Sequence, residues 1–140
     1  MNLFNKYFLK PPDLQELSKG EAGERWAAFL YQKKGYKVIE TNYKAFGKKQ
    51  LGELDIICAK GGELVAVEVK TRSNENFMRA EESVNYKKQM LLRRMLKIFI
   101  QRNTRYSECN LRIDVAVVLI NAIDNSINSV RILENVIEDV

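Results

Sequence analysis

The chain has 140 residues, of which 46% are hydrophobic and 29% are charged, and its formal net charge is +5. This composition is typical of one globular domain rather than of a disordered segment. Histidine is absent, which excludes Ser-His-Asp and Cys-His catalysis and a histidine-containing zinc site. No apolar run approaches the roughly 20 residues that cross a bilayer, so no membrane partner is expected. Cys58 and Cys109 lack metal-ligand spacing and no signal peptide is recognisable, which favours a cytoplasmic location.

The positive charge is concentrated in one segment. Residues 83–107 contain seven Lys and Arg residues and no acidic residue, so the rest of the chain is net acidic. Such a segment is expected where one face of a protein meets a polyanion such as nucleic acid. A solvated helix face explains the charge alone equally well.

The first half of the chain is predicted to contain a helix and a strand. A Lys-Pro-Pro-Asp breaker at residues 10–13 separates an N-terminal extension, residues 1–12, from a helix of about 20 residues that stops at Gly35. The capping-box pattern of residues 18–21 allows this helix to begin at Ser18 instead. Its inward residues are predicted to be Ala27, Leu30 and Tyr31. A strand over residues 36–46 follows.

The second half completes an α/β pattern. Two strands within residues 51–72 meet at a glycine pair, and a long amphipathic helix is predicted over residues 79–102. Its predicted apolar stripe comprises Val84, Leu91, Met95, Ile98 and Phe99. Residues 111–120 are too apolar for a half-exposed strand and are predicted to be central in the sheet, and residues 130–140 form a last strand or short helix. This order predicts a mixed sheet flanked by helices in a single domain, residues 13–140.

The two strands of residues 51–72 carry four charged residues among apolar ones: Glu53, Asp55, Glu68 and Lys70. If Gly61 and Gly62 form a type I′ turn, Asp55 lies opposite Glu68 and Glu53 lies opposite Lys70. Alternation then places all four on one face. The other face is predicted to hold Leu54, Ile56, Val67 and Val69.

Such an arrangement of carboxylates is unfavourable without a partner. Two carboxylates about 5 Å apart repel by roughly 3 kcal/mol at an effective dielectric near 20. A shared proton, the nearby lysine or a bound cation would relieve this repulsion. Oxygen ligands with excess negative charge favour Mg²⁺ or Mn²⁺. The alternative is the solvated face of an ordinary hairpin, and a three-residue turn would separate the pair.

Two further residues belong near this site by their helical positions. Lys88 falls inside the apolar stripe of the long helix, so its ammonium must extend to solvent or reach a carboxylate or phosphate. Glu24 lies three residues before Ala27, beside the inward face of the first helix. Most helical glutamates are simply solvated, and Glu24 by its position alone carries little weight.

Four stretches resemble one protein family: residues 22–36 (AGERWAAFLYQKKGY), 51–72 (LGELDIICAKGGELVAVEVKTR), 83–89 (SVNYKKQ) and 112–118 (RIDVAVV). They are similar to the YraN-like proteins, small predicted endonucleases of the restriction-endonuclease-like, or PD-(D/E)xK, superfamily. The resemblance spans about residues 20–120, and residues 131–137 show a weaker similarity. One departure is Met78, where the family pattern leads us to expect glycine after Phe77.

The resemblance implies a restriction-endonuclease-like fold and a set of site residues. It implies that Asp55 and Glu68 bind the metal, that Lys70 is the signature lysine, and that Glu24 is the acid of the first helix. We expect Glu24 to contribute to the metal site through a water. It also marks Arg72 and Lys88 as functional basic residues. The expected activity is Mg²⁺- or Mn²⁺-dependent hydrolysis of DNA, including branched or repair intermediates.

The expected partner is DNA, held through its phosphates by four basic residues: Arg72, Lys87, Lys88 and Arg94. Contacts of this kind give salt-dependent and largely sequence-independent binding. A homodimer is compatible with the resemblance, since branched-DNA nucleases of this fold often work as dimers. Two alternatives remain: a nucleic-acid-binding module of the same fold without cleavage, and a protein-interaction partner in DNA uptake or repair.

Overall fold

The computed structural model describes residues 9–73 and 85–136. Its elements are, in chain order, α1 (Lys19–Lys33), β1 (Lys37–Phe46), β2 (Gln50–Lys60), β3 (Glu63–Arg72), α2 (Tyr86–Arg102), a 3-10 turn (Thr104–Tyr106), β4 (Asn110–Ile120) and β5 (Ile127–Leu133). The predicted order is confirmed, and the last element is a strand. Within the described ranges, neither helix is long and apolar enough to cross a membrane.

The strands form one mixed sheet in the order β1-β2-β3-β4-β5. Strands β3 and β4 run parallel, and the other neighbours are antiparallel. A parallel pair needs a crossover connection, and α2 lies in the segment that links β3 to β4. Strand β4 lies between β3 and β5 and is largely buried, as its apolar sequence predicted. The architecture is α/β and consistent with a restriction-endonuclease-like fold.

One helix covers each face of the sheet, so the core has two layers. On the α1 side, Ala27 and Tyr31 pack against a cluster that includes Ile56, Val65 and Val67. On the α2 side, the sheet is covered by four buried helix residues: Leu92, Met95, Leu96 and Phe99. Each face of β2 and β3 is therefore in contact with a helix, and charged side chains between these layers must be paired or reach an edge.

Helix α1 begins after Ser18, the second of the two predicted starts. The Ser18 Oγ accepts a hydrogen bond from the Glu21 backbone N–H at 3.2 Å, and Gly35 beyond the helix has φ +95°. The alternative start near Asp13 is therefore wrong. Of the three predicted inward residues, Ala27 and Tyr31 are buried and Leu30 is half-buried.

The apolar stripe of α2 is rotated from the predicted one. Met95 and Phe99 are buried as predicted. Leu92 and Leu96 are buried as well, whereas Leu91 and Ile98 are only half-buried. The helix is described from Tyr86 onward, with the Asn85 Oδ1 accepting from the Lys88 N–H at 2.9 Å. Val84, Met78 and the rest of the predicted first turns, residues 79–84, lie outside the described residues.

The β2–β3 turn has the predicted register but a different geometry. Lys60 pairs with Glu63, and the ladder continues to Ile56 opposite Val67. Of the two turn glycines only Gly61 has a positive φ, +58°. These φ signs match a type II′ turn rather than the predicted type I′ turn, and both two-residue turns give the same register.

Regular alternation along β2 fails at Asp55. Leu54 packs in the α2-side cluster, whereas Ile56, two residues later, packs in the α1-side cluster. The prediction that Leu54 shares a face with Ile56, Val67 and Val69 is therefore wrong. The neighbouring residue of β1, Asn42, has a left-handed backbone with φ +52°, and neither Asn42 nor Asp55 is among the paired positions. The two strands thus carry a joint irregularity at this point.

The limits of the domain stay a prediction. Residues 9–12 have no regular secondary structure, while residues 1–8 and 137–140 lie outside the described residues. The segment before α1 is held by Asn125, whose buried side-chain amide donates to the carbonyls of Leu14 at 2.9 Å and Leu17 at 2.8 Å. This contact joins the start of the described chain to the β4–β5 turn.

Candidate metal and nucleic-acid site

Asp55 occupies the point where β2 and β3 separate. The last backbone pair is Ile56 opposite Val67, and one residue further the Asp55 Oδ2 accepts a hydrogen bond from the Val69 N–H at 2.8 Å. The side chain therefore satisfies a backbone donor that the ladder no longer reaches. This bond holds the carboxylate in the gap between the two strands, at the open end of the hairpin.

Glu68 brings the two lysines of the site together. Its side chain is buried, at 8% exposure, and its Oε1 lies 3.4 Å from the Lys70 Nζ and 3.7 Å from the Lys88 Nζ. Lys70 follows two residues later on β3, and Lys88 comes from the first turn of α2. Lys88 thus reaches a carboxylate, which is one of the two outcomes predicted from its place in the apolar stripe.

Burial and the nearby carboxylates both shift the proton affinity of Asp55. Burial is the largest cause that raises the pKa of Asp55, to about 7, and the negative charge of Glu68 is the next. The Val69 N–H opposes this shift, and Glu24 and Glu53 add to it. Carboxylates from α1, β2 and β3 therefore interact electrostatically here. Asp55 and Glu68 are near each other in this sense, but they are not a paired position of the β2–β3 ladder as predicted.

Glu53 and Glu24 lie on the α1 side of the irregularity. With its amide nitrogen turned toward them, Asn42 donates to the Glu53 Oε1 at 2.9 Å and to the Glu24 Oε2 at 3.1 Å. Burial, followed by the charge of Glu53, raises the pKa of Glu24, while the Asn42 hydrogen bond opposes the rise. The predicted cross-strand pair of Glu53 with Lys70 is wrong, because Lys70 is paired with Glu68 and the ladder has already ended.

Asn42 is a residue of this site that the sequence reasoning missed. Asparagine is depleted in strands and tolerates the left-handed region better than most residues, so its presence within a predicted strand was the available signal. An open cavity of about 500 Å³ lies between α1 and β1 beside it. The cavity is lined by Glu21, Glu24, Arg25, Ala28, Thr41 and Asn42.

The carboxylate oxygens at the open end are the type of ligand that a hard divalent cation prefers, but they do not form a complete coordination shell. Within residues 9–73 and 85–136, no group of three acidic or cysteine side chains is arranged to hold a metal ion. The candidates are the carboxylates of Asp55 and Glu68, each with one oxygen outside the contacts described above. Mg²⁺ commonly takes only one or two carboxylates and completes its shell with water and substrate phosphate. After burial, the negative charge of Glu68 is the next cause that raises the Asp55 pKa, and a bound divalent ion would offset that charge.

The predicted phosphate-binding residues lie around this end of the sheet and along α2. Arg72, at the end of β3, is half-buried, and its Nη1 donates to the Thr71 carbonyl at 2.9 Å. Lys87 and Arg94 are exposed on α2, and a spacing of seven residues places them on the same face of the helix. Lys88, by contrast, is turned toward Glu68.

A second charged cluster, also missed from the sequence, is structural. Asp114 on β4 is fully buried and accepts from the Tyr31 hydroxyl at 2.6 Å, from Arg112 at 2.9 Å through two nitrogens, and from the Asn135 N–H at 3.0 Å. Burial raises the pKa of Tyr31 far above its usual range, so the hydroxyl stays a donor. This network fixes α1, which carries Glu24, against the sheet. The available signal was a charged pair in an otherwise apolar strand.

Comparison with known proteins identifies the family. The model of the uncharacterised protein family UPF0102 matches residues 23–118, a range that includes Glu24, Asp55, Glu68 and Lys70. A UPF0102 protein of Alkaliphilus metalliredigens is 43% identical over 103 residues, covering 74% of this chain and 86% of the relative. One from Natranaerobius thermophilus is 38% identical over 104 residues, covering 74% and 85%. The chain therefore belongs to the UPF0102 family, the group of YraN-like proteins that its sequence motifs resemble.

Proposed function

We propose that this protein is a metal-dependent nuclease that hydrolyses phosphodiester bonds in DNA. The observation that carries the proposal is the open end of the β2–β3 hairpin, where Asp55 is held by the Val69 N–H beside Glu68. Lys70 stands 3.4 Å from the Glu68 carboxylate. A pair of acids and a lysine at one separated strand end is suited to hold an ion and a phosphate together.

In this proposal Asp55 and Glu68 hold Mg²⁺ or Mn²⁺, aided by the Val69 carbonyl and, through a water, by Glu24. A bound divalent ion supplies Lewis-acid activation of the phosphate and a water of lowered pKa. The Val69 N–H keeps the Asp55 carboxylate aimed into the gap. The Asn42 amide holds the Glu24 carboxylate through a hydrogen bond of 3.1 Å.

Lys70 is the proposed catalytic lysine. Its ammonium, placed by the Glu68 carboxylate, can donate to the attacking water or to the phosphoryl oxygens as negative charge develops on them. Lys88, which approaches the same Glu68 oxygen from α2, would contact a phosphate of the DNA. Arg72, Lys87 and Arg94 would extend these contacts along the backbone of the DNA, which gives binding without sequence preference.

The proposal is tested by incubating the protein with linear and branched DNAs and Mg²⁺ or Mn²⁺. We expect cleavage by the wild type, and a loss of about 100-fold or more in Lys70→Ala and Asp55→Asn, as for removal of a group that stabilises transition-state charge. Lys37→Ala, which changes an exposed lysine at the far end of β1, is the matched control. Cleavage by Lys70→Ala at the wild-type rate would contradict the assignment.

A nucleic-acid-binding module without cleavage is the second candidate. It is favoured by the pairing of the Glu68 Oε1 with two lysines, which offsets the charge of this carboxylate without an ion. It predicts salt-dependent DNA binding with no heat of Mg²⁺ or Mn²⁺ binding in a calorimetric titration, whereas the nuclease predicts a heat that Asp55→Asn removes. A protein-interaction partner predicts neither DNA binding nor a heat of metal binding. A homodimer and a cytoplasmic location stay predictions from the sequence.

A further inference from the structure

The turn between β1 and β2 presents an exposed aromatic ring among lysines. Phe46 is 60% exposed, and Lys44, Lys48 and Lys49 are all exposed as well. The turn itself is closed by a hydrogen bond from the Gly47 N–H to the Lys49 carbonyl at 2.9 Å. Residues 44–49, called the β1–β2 tip below, contain no acidic residue.

An exposed apolar residue by itself needs no explanation, and the β4–β5 turn provides the comparison. Ile123 there is 95% exposed, but its neighbours are uncharged or acidic, with Asp124 next to it and no basic residue within residues 121–126. The tip differs because its apolar group is aromatic and is surrounded by cations. Such a surface complements a ligand that is both anionic and planar.

Unpaired nucleotides have these two properties together. Aromatic side chains that stack on bases, in a positively charged surrounding that follows the backbone, are the usual way of binding single strands. A base within a duplex is already stacked on its neighbours and offers its face to no side chain. We propose that the β1–β2 tip binds unpaired nucleotides of the substrate, with Phe46 stacked on a base and the lysines on the flanking phosphates.

The position of the tip relative to the carboxylates gives this contact a purpose. Phe46 pairs with Gln50, and Lys44 pairs with Glu53, so β2 leads from the tip directly to Asp55. The five residue steps from Gln50 to Asp55 span roughly 17 Å, about the rise of five stacked nucleotides. The inference rests on the proposed function and refines its substrate class: a nucleic acid with an unpaired stretch a few nucleotides from the bond that is cut.

The test is equilibrium binding in EDTA, measured by fluorescence anisotropy with labelled single-stranded, flapped and fully duplex oligonucleotides. We expect Phe46→Ala to weaken binding of the single strand and the flap by about 5- to 150-fold, the range for loss of one stacked base. Duplex binding should change little. Phe46→Trp should restore the affinity, and Ile123→Ala, which removes the more exposed side chain of the β4–β5 turn, should leave all three affinities unchanged.

Unchanged single-strand binding by Phe46→Ala, or an equal loss for duplex and single strand, would overturn the inference. A stacked base would also quench 2-aminopurine placed in the single strand, and quenching that persists in Phe46→Ala would count against it in the same way. Because no metal is present, these results do not depend on cleavage. A wild-type protein that binds the single strand through Phe46 but cuts nothing would refute the nuclease and leave the tip assigned.

The lysines of the tip are tested through the salt dependence of binding. The double variant Lys48→Ala/Lys49→Ala should lower the slope of log affinity against log salt by about 1 to 2 for a single strand, since each lost phosphate contact contributes about 0.7. Single-strand affinity at low salt should fall with it. An unchanged slope would overturn the assignment of these lysines to phosphates.

Discussion

The two ends of the β2–β3 hairpin are built from the same strands and have opposite chemistry. At the turn end, a regular ladder from Ile56–Val67 to Lys60–Glu63 packs apolar side chains against a helix on each face. At the open end, the ladder stops, Asp55 replaces a backbone acceptor, and a second carboxylate, Glu68, stands nearby. The turn end stabilises the fold, whereas the open end concentrates charge.

Only the open end of the hairpin leaves room for a binding site. A regular ladder pairs every backbone group and leaves no room for a ligand, whereas separated strands leave donors and acceptors for side chains and substrate. The separation is stabilised from both sides, by the Val69 N–H on Asp55 and by Asn42 between Glu24 and Glu53. Variants at the two ends should therefore affect different properties.

The largest effect on stability is expected at the turn end. Ile57 is fully buried and packs on the α2 side, so Ile57→Ala should lower the free energy of unfolding by about 2–5 kcal/mol, through lost burial and a cavity. Denaturant unfolding measures this loss. Ile123→Ala, exposed in the β4–β5 turn, should change it by no more than about 0.5 kcal/mol. Equal losses for the two variants would contradict the described core.

At the open end, removal of a charge should stabilise the protein when no metal is present. The native state raises the pKa of Asp55 from 3.8 to about 7, so it binds the proton more tightly than the unfolded chain does. Stability contributed by this group is therefore present at low pH and is lost as pH rises from about 4 to 7. In EDTA at pH 8, Asp55→Asn should be more stable than wild type by about 1–3 kcal/mol. This is less than the full pKa shift would correspond to, because solvent screens part of the effect at a site that is only partly buried.

The measurement is thermal or denaturant unfolding of both proteins in EDTA between pH 4 and pH 8. The difference in stability between the two proteins should increase as pH rises. The asparagine side-chain oxygen should still accept the hydrogen bond from the Val69 N–H. A variant that is less stable than wild type at pH 8 would show that the Asp55 charge is already neutralised by its protein partners.

A divalent ion should reduce this stability difference. An ion that binds only the folded protein adds RT ln(1 + [L]/Kd) to its stability, which is about 1.4 kcal/mol at tenfold excess over Kd. Mg²⁺ or Mn²⁺ should therefore raise the Tm of the wild type at pH 8 and leave Asp55→Asn nearly unchanged. Ca²⁺, which also prefers oxygen ligands, provides a comparison without catalysis. Equal shifts in wild type and variant would place ion binding elsewhere.

The sequence predicted the turn end better than the open end, for a physical reason. The register of the hairpin follows from its own Gly61–Gly62 turn, which is local information. The face of Leu54 depends instead on Asn42 in the neighbouring strand, whose left-handed backbone interrupts the alternation of both strands. The alternation of apolar residues along β2 alone therefore cannot reveal the effect of the neighbouring strand.

The apolar stripe of α2 was predicted only in part, with Met95 and Phe99 correct, for a similar reason. Leu91 and Leu92 are equally apolar, and which of them is buried is decided by the surface that receives the helix. Part of that surface is Gly52 on β2, which leaves space for the helix: a Cβ there would meet the Met95 sulfur at 3.3 Å and a Leu91 methyl at 3.4 Å. The network of Asp114 with Tyr31 and Arg112 likewise joins residues far apart in sequence. The acids and lysines themselves could be named in advance because their types are improbable in buried strands.

The smallest effect expected, and the most specific, concerns Asn42. Glycine adopts the φ of +52° at this position without strain, so Asn42→Gly removes the amide while it keeps the backbone, and overall stability should change by less than about 1 kcal/mol. Since the Asn42 hydrogen bond opposes the rise in the Glu24 pKa, its loss should move that pKa further upward. Carbon-detected NMR titration of the glutamate carboxyl groups without metal measures the shift.

Asn125→Gly is the matched control, because Asn125 also has a left-handed backbone, with φ +59°, but its amide binds the Leu14 and Leu17 carbonyls at the other end of the chain. That variant should lose stability, since the hydrogen bonds to one buried and one partly buried carbonyl are removed, and leave the Glu24 titration in place. If Asn42→Gly leaves the Glu24 pKa where it was, Asn42 does not hold the carboxylates on the α1 side. The joint irregularity of β1 and β2 would then be a feature of the backbone alone.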